Sequence, residues 1–94
     1  MPSGFALHQN YPNPFNPSTT IRYDLPAQAE IRLTVYDVLG RKVRTLVQQN
    51  QSAGAHTVVW DGRDASGRQL ASGVYVYRLQ AGELEKSAKM LLLK

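Results

Sequence analysis

The sequence predicts an all-β fold, an immunoglobulin-like sandwich of about seven antiparallel strands. Apolar residues fall at every second position in several runs. Those runs recur at intervals of roughly ten to twelve residues, separated by Gly, Pro, Asn and Asp. No stretch carries a helical period long enough to bury a face. An open barrel of the oligonucleotide-binding kind has similarly short strands and is the alternative.

The chain has 94 residues, enough for a single domain spanning 1–94. It contains no cysteine, so neither a disulfide nor a thiolate site is available, and stability rests on one apolar core around Trp60. Residues 1–4 read as a linker or an added start. Residues 5–17 form a lead segment whose three prolines, Pro12, Pro14 and Pro17, exclude helix and remove ladder donors. Its aromatics Phe5, Tyr11 and Phe15 are too apolar for a free linker and are expected to lie on the sandwich as a lid or edge.

Ser18 to Leu25 is the first alternating run, with Ile21, Tyr23 and Leu25 on one face and Thr20, Arg22 and Asp24 on the other. Pro26-Ala27-Gln28 turns the chain into Ala29–Tyr36, where Ile31, Leu33 and Val35 face inward. Asp37-Val38-Leu39-Gly40-Arg41 reads as a hairpin turn with Gly40 in the left-handed position. Lys42 to Gln48 returns as a strand with Val43 and Leu46 or Val47 in the core, and Gln49–Gly54 reads as a polar crossing loop. Ala55 to Asp61 puts His56, Val58 and Trp60 on one face. A glycine-rich turn region, Gly62–Gly73, precedes Val74–Ala81, the run expected to be most buried, and Glu85–Leu93 closes the fold.

Eleven Lys and Arg against seven Asp and Glu give a net charge of +4. The basic residues are scattered along the strands, with one cluster at Arg41, Lys42 and Arg44. This pattern suits a solvated sheet face and argues against a nucleic-acid partner. No run approaches the ~20 apolar residues of a membrane-spanning helix, and the N-terminus lacks the pattern of a signal peptide.

The search for chemistry yields little. His8 and His56 have no nucleophile on a strand–turn–helix elbow to serve, so no catalytic residue and no cofactor is expected. Asp61 and Asp64 stand in Trp60-Asp61-Gly62-Arg63-Asp64-Ala65-Ser66-Gly67, which fits a tight turn and also a weak Ca²⁺ site. The spacing of an EF-hand is missing. Trp60, Tyr36, Tyr75 and Tyr77 can be read as core anchors or as a stacking platform for a sugar.

Two end motifs and their order go further. Asn10-Tyr11-Pro12-Asn13-Pro14-Phe15-Asn16-Pro17 stands near the start, and Ser72-Gly73-Val74-Tyr75 and Lys89-Met90-Leu91-Leu92-Leu93-Lys94 stand late. Together with Val35-Tyr36-Asp37-Val38-Leu39-Gly40-Arg41 and Trp60-Asp61-Gly62-Arg63-Asp64, the series resembles the C-terminal sorting domain (type A) of type IX secretion cargo proteins. The resemblance runs from about residue 8 to residue 94. The same core is similar to the immunoglobulin-like domain of flagellar hook-capping proteins.

The first resemblance implies a non-catalytic address label on a larger cargo protein. Its expected partners are an outer-membrane translocon, a surface sortase and the upstream cargo domain. Its expected location is the secreted or outer-membrane surface of a Gram-negative bacterium, reached through the periplasm. The contact residues it implies are Pro12, Asn13, Pro14, Gly73, Tyr75, Lys89, Leu92 and Lys94. Strand addition to an accessible last strand is the expected mode, with Lys86, Lys89 and Lys94 supplying charge. An exposed edge is also expected to permit self-association. A carbohydrate-binding or adhesion module and a structural assembly domain are the competing readings.

Overall fold

The computed structural model describes residues 4–93, so the role expected of Lys94 lies outside the described residues, as do Met1, Pro2 and Ser3. Seven strands follow in order: β1 (Ala6–Leu7), β2 (Thr19–Leu25), β3 (Ala29–Tyr36), β4 (Lys42–Gln51), β5 (Gly54–Trp60), β6 (Gly73–Ala81) and β7 (Leu84–Leu92). They form two sheets, one ordered β1-β2-β5 and the other β4-β3-β6-β7, and all the strand pairs are antiparallel. Among the described residues no ladder joins the two sheets, which excludes the barrel. The fold class is the predicted immunoglobulin-like sandwich.

The alternation of residues places the core between the sheets. Ile21, Tyr23 and Leu25 from β2 meet Ile31, Leu33 and Val35 from β3 and Tyr75, Tyr77 and Leu79 from β6, all buried. Trp60 is wholly buried, with Phe15 at 5.6 Å and Tyr75 at 5.7 Å between ring centroids. Tyr75 donates its hydroxyl hydrogen bond to the Ala71 carbonyl oxygen at 2.7 Å. This bond from the start of β6 back to the preceding corner is the tyrosine-corner geometry of immunoglobulin-like sandwiches.

Four expectations need correction. β4 runs on to Gln51, so the polar crossing loop is mostly strand and the turn into β5 is short. Val43, Leu46 and Val47 are only half-buried, because β4 is an edge strand. In β6, only alternate residues are core. Val74 and Val76 lie on the outer face, and Val74 is 41% exposed. In the lead segment Phe15 is buried and Phe5 half-buried, but Tyr11 is 80% exposed.

The registers sort the connections to two ends of a sandwich measuring 38 × 22 × 20 Å. The β3–β4 turn, the β5–β6 loop, the start of β2 and the end of β7 share one pole. The β2–β3, β4–β5 and β6–β7 turns share the other.

Candidate functional site

The first pole gathers most of the residues singled out from sequence. Its base is a network around Asn10, which is 2% exposed. The Asn10 backbone N–H donates to the Tyr77 hydroxyl at 2.9 Å, and that hydroxyl donates to the His8 carbonyl at 2.7 Å. The Asn10 amide donates to Thr19 Oγ1 at 2.9 Å and to the Pro12 carbonyl at 3.2 Å, and Thr19 Oγ1 donates to that same carbonyl at 2.8 Å. Buried polar groups are tolerated only when paired, so this network fixes the course of the lead segment. Burial raises the Tyr77 phenol above its ordinary pKa, which keeps it a neutral donor.

From that base the lead segment runs along the outer edge of β7. Gln9 Nε2 donates to the Lys89 carbonyl at 2.8 Å, and Leu91 N–H donates to Asn13 Oδ1 at 2.9 Å. Phe15 N–H donates to the Leu91 carbonyl and Leu93 N–H to the Phe15 carbonyl, each at 3.0 Å, as a parallel bridge. Gly62 closes the other side. Its φ is 77°, and a Cβ there would stand 3.0 Å from the Pro17 carbonyl oxygen. Only glycine fits that approach.

Pro12, Asn13, Pro14 and Lys89 are exposed, on a lead segment and a strand end tied together by the Gln9–Lys89 and Asn13–Leu91 bonds. Gly73 sits at the start of β6, opposite Leu92 in register. Tyr75 and Leu92, expected as contacts, are instead buried at 7% and 3% exposure. They hold the pole in shape and do not present a surface. The expected accessible last strand is also corrected, because the lead segment already occupies the outer edge of β7 from Lys89 to Leu93.

At the same pole, toward the β4 edge of the sheet, stand two turns with the same five-residue pattern, Asp37-Val38-Leu39-Gly40-Arg41 and Asp64-Ala65-Ser66-Gly67-Arg68. In each, one carboxylate oxygen accepts the N–H groups two and four residues on, at 2.9 Å twice in the first turn and 3.0 Å twice in the second. In each, the arginine Nε faces the other carboxylate oxygen, at 2.9 Å for Arg41 and 3.5 Å for Arg68. The backbone N–H of Arg41 is the largest cause holding the Asp37 carboxyl below its ordinary pKa, and the Ser66 hydroxyl is the largest for Asp64. The repeated Asp-x-x-Gly-Arg spacing is a signal that the sequence itself carries.

The turns bear directly on the calcium reading. Asp64 Oδ1 accepts three local hydrogen bonds, two from Ser66 and one from Arg68, while Asp61 Oδ1 accepts from Arg63 N–H and Arg44. These carboxylates serve turns, and no group of three acidic or histidine side chains suited to a metal occurs among the described residues. The sugar-platform reading fails on burial. Trp60, Tyr75 and Tyr77 are core, and Tyr36 lies on the outer sheet face beneath the Arg78 guanidinium at 4.8 Å. His56 stacks on Tyr23 at 5.5 Å and meets the Ser52 carbonyl at 2.8 Å, as a partly covered strand residue does.

Comparison with known proteins agrees with this architecture. The sequence model of the FlgD Ig-like domain matches residues 15–85. A FlgD structure from P. aeruginosa is similar at 27% identity and a TM-score of 0.63, over 79% of this chain and 57% of that one. PorZ, a surface component of the type IX secretion system of Porphyromonas gingivalis, is similar at 24% identity and a TM-score of 0.63, over 97% of this chain and 12% of PorZ. Dimeric latent PorU from the same organism is similar at 19% identity and a TM-score of 0.73, over 96% of this chain and 9% of PorU. The chain thus spans only part of each of these proteins, and the last two likenesses speak to the fold alone. No curated protein matches the sequence.

Proposed function

The chain belongs to the FlgD Ig-like domain family, and on that premise we propose that it is a non-catalytic secretion signal, which directs a larger cargo protein through the outer membrane to the cell surface. The observation that carries this reading is the bond between Asn13 Oδ1 and Leu91 N–H, which joins the two end motifs across 78 positions of sequence. The Pro12-Asn13-Pro14 stretch and Lys89 are exposed, and the bonds of Asn13 to Leu91 and of Gln9 to Lys89 hold their two segments together. A receptor would read a shape that exists only when the domain is folded, with Lys89 orienting the encounter. The family matched here is otherwise a structural one, so an assembly role for the same pole is the second reading.

A reporter fused ahead of the domain in a bacterium with a type IX system tests the choice. The wild-type fusion should appear at the cell surface or in the medium. Replacing Pro12, Asn13 and Pro14 by alanine, or Lys89→Glu, should cut export at least about tenfold, a difference of ~1.4 kcal/mol in recognition, while circular dichroism shows the folded domain. A wild-type fusion retained in the periplasm would refute the sorting role and leave the assembly reading.

A further inference from the structure

The four sheet edges of the molecule are not treated alike. β7 carries the lead segment along its last residues and Glu85 and Lys86 on the remainder. β4 carries Lys42 and Arg44, two register shifts against β3, and the Ala65 N–H bonded to its Val43 carbonyl. β1 is two residues long. These are the devices by which natural sheets discourage strand addition. β5 has none of them. Gly54–Trp60 has no charged residue and no proline, and it pairs with β2 without a register shift.

The main-chain groups left open on β5 can be identified. Thr20 exchanges both backbone bonds with Tyr11, and the Arg22 carbonyl accepts from His8 N–H, so these β2 residues point away from β5. Bonding direction alternates along an antiparallel ladder. The β5 residues opposite Arg22 and Thr20 are Thr57 and Val59, and Ala55 follows in the same alternation. The N–H and C=O groups of Ala55, Thr57 and Val59 therefore face outward from the sheet edge. All three side chains are exposed, Val59 at 62%.

From this we infer that β5 is a self-association edge, its partner the β5 of a second copy of this chain, and the inference stands apart from the sorting role. Antiparallel pairing about a two-fold axis at Thr57 sets Thr57 against Thr57 and Ala55 against Val59 in both directions. All three are hydrogen-bonded pairs, so every open group on both strands is used. Small and β-branched side chains meet across the junction. The edge carries no charge that would select a charged partner strand.

The surroundings agree with a second copy despite the net charge of +4. The Arg22 side chains flanking Thr57 would lie three strand spacings apart, about 14 Å, beyond the screening length at physiological salt. The antiparallel arrangement also sets the Lys42 and Arg44 end of one β4 toward the uncharged Gln48–Gln51 end of the other, which keeps like charges apart.

Such an edge contact is small and belongs to the weak class, with a dissociation constant on the order of 0.1 mM. Sedimentation of the full chain up to roughly 1 mM should show a concentration-dependent dimer. Thr57→Lys places like charges across the axis and should weaken it at least about tenfold. Thr57→Pro removes an outward N–H that the β2 ladder does not use, so the fold should persist while the dimer is lost. Mixing Thr57→Lys with Thr57→Glu should restore dimers. A wild-type chain that stays monomeric throughout, or a dimer indifferent to Thr57→Lys, would overturn the inference.

Discussion

The outer edges of β7 and β5 face opposite fates in one small sandwich. β7 is fitted with a cover made from the chain's own lead segment, anchored by the buried Phe15 and by the Asn10 network. β5 ends in open main-chain groups. The contrast teaches that the proline-rich lead is a structural part of the sheet. Its prolines lack N–H groups, and its bonds to β7 come from Gln9, Asn13 and Phe15 instead. A proline-rich strap can thus shield an edge without offering a new one.

The largest expected effect comes from breaking the cover at its anchor. Phe15 is 1% exposed against Trp60, so Phe15→Ala should destabilise the domain by about 3–5 kcal/mol, measured by chemical denaturation. Hydrogen exchange at the Leu91 and Leu93 amides should quicken with it, bringing the β7 edge closer to the β5 condition. Exchange at Leu91 and Leu93 unchanged from wild type would show that Phe15 is not what holds the strap.

A smaller break acts at the base of the strap. Tyr77→Phe removes the hydroxyl that accepts from the Asn10 N–H and donates to the His8 carbonyl. Leaving those backbone groups unpaired in a buried setting should cost about 1–3 kcal/mol. Denaturation of Tyr77→Phe beside wild type measures it. A cost near zero would mean that water replaces the hydroxyl and that the network does not fix the lead.

Much of this was legible in sequence. The period-two runs gave β2, β3 and β5 and their inward residues, because a sheet with one wet face writes its burial directly into the alternation. Val74 and Val76 misled because an apolar residue on the outer face looks the same in sequence as one in the core. Tyr11 misled likewise, since an aromatic ring in a turn-rich segment gives no sign of which side it lies on. The pole was legible only as separate motifs, and their joining by Asn13 and Leu91 is a long-range fact that no local pattern states. The repeated Asp-x-x-Gly-Arg turns were the signal most open to reading.

The smallest expected effect sharpens the comparison on the flank that β5 shares with β4. There the cover is the β5–β6 loop, whose Ala65 N–H bonds the Val43 carbonyl and whose shape rests on the Asp64 turn. The Asp37 turn has the same internal bonds and covers no edge. Both aspartates are half-buried in their own turns, and their carboxyls are held below the usual value of 3.8. A carboxyl with a depressed folded pKa adds stability above its unfolded pKa, and that stability is lost as pH falls through the folded value. Melting temperature should therefore decline below about pH 4, and less steeply in the Asp37→Asn, Asp64→Asn double variant. The single variants should then part company at neutral pH. Asp64→Asn should speed exchange at Ala65 beside the β4 edge, whereas Asp37→Asn should affect only its own hairpin tip. Equal exchange at Ala65 in both would mean that the β4 cover does not depend on the turn that frames it.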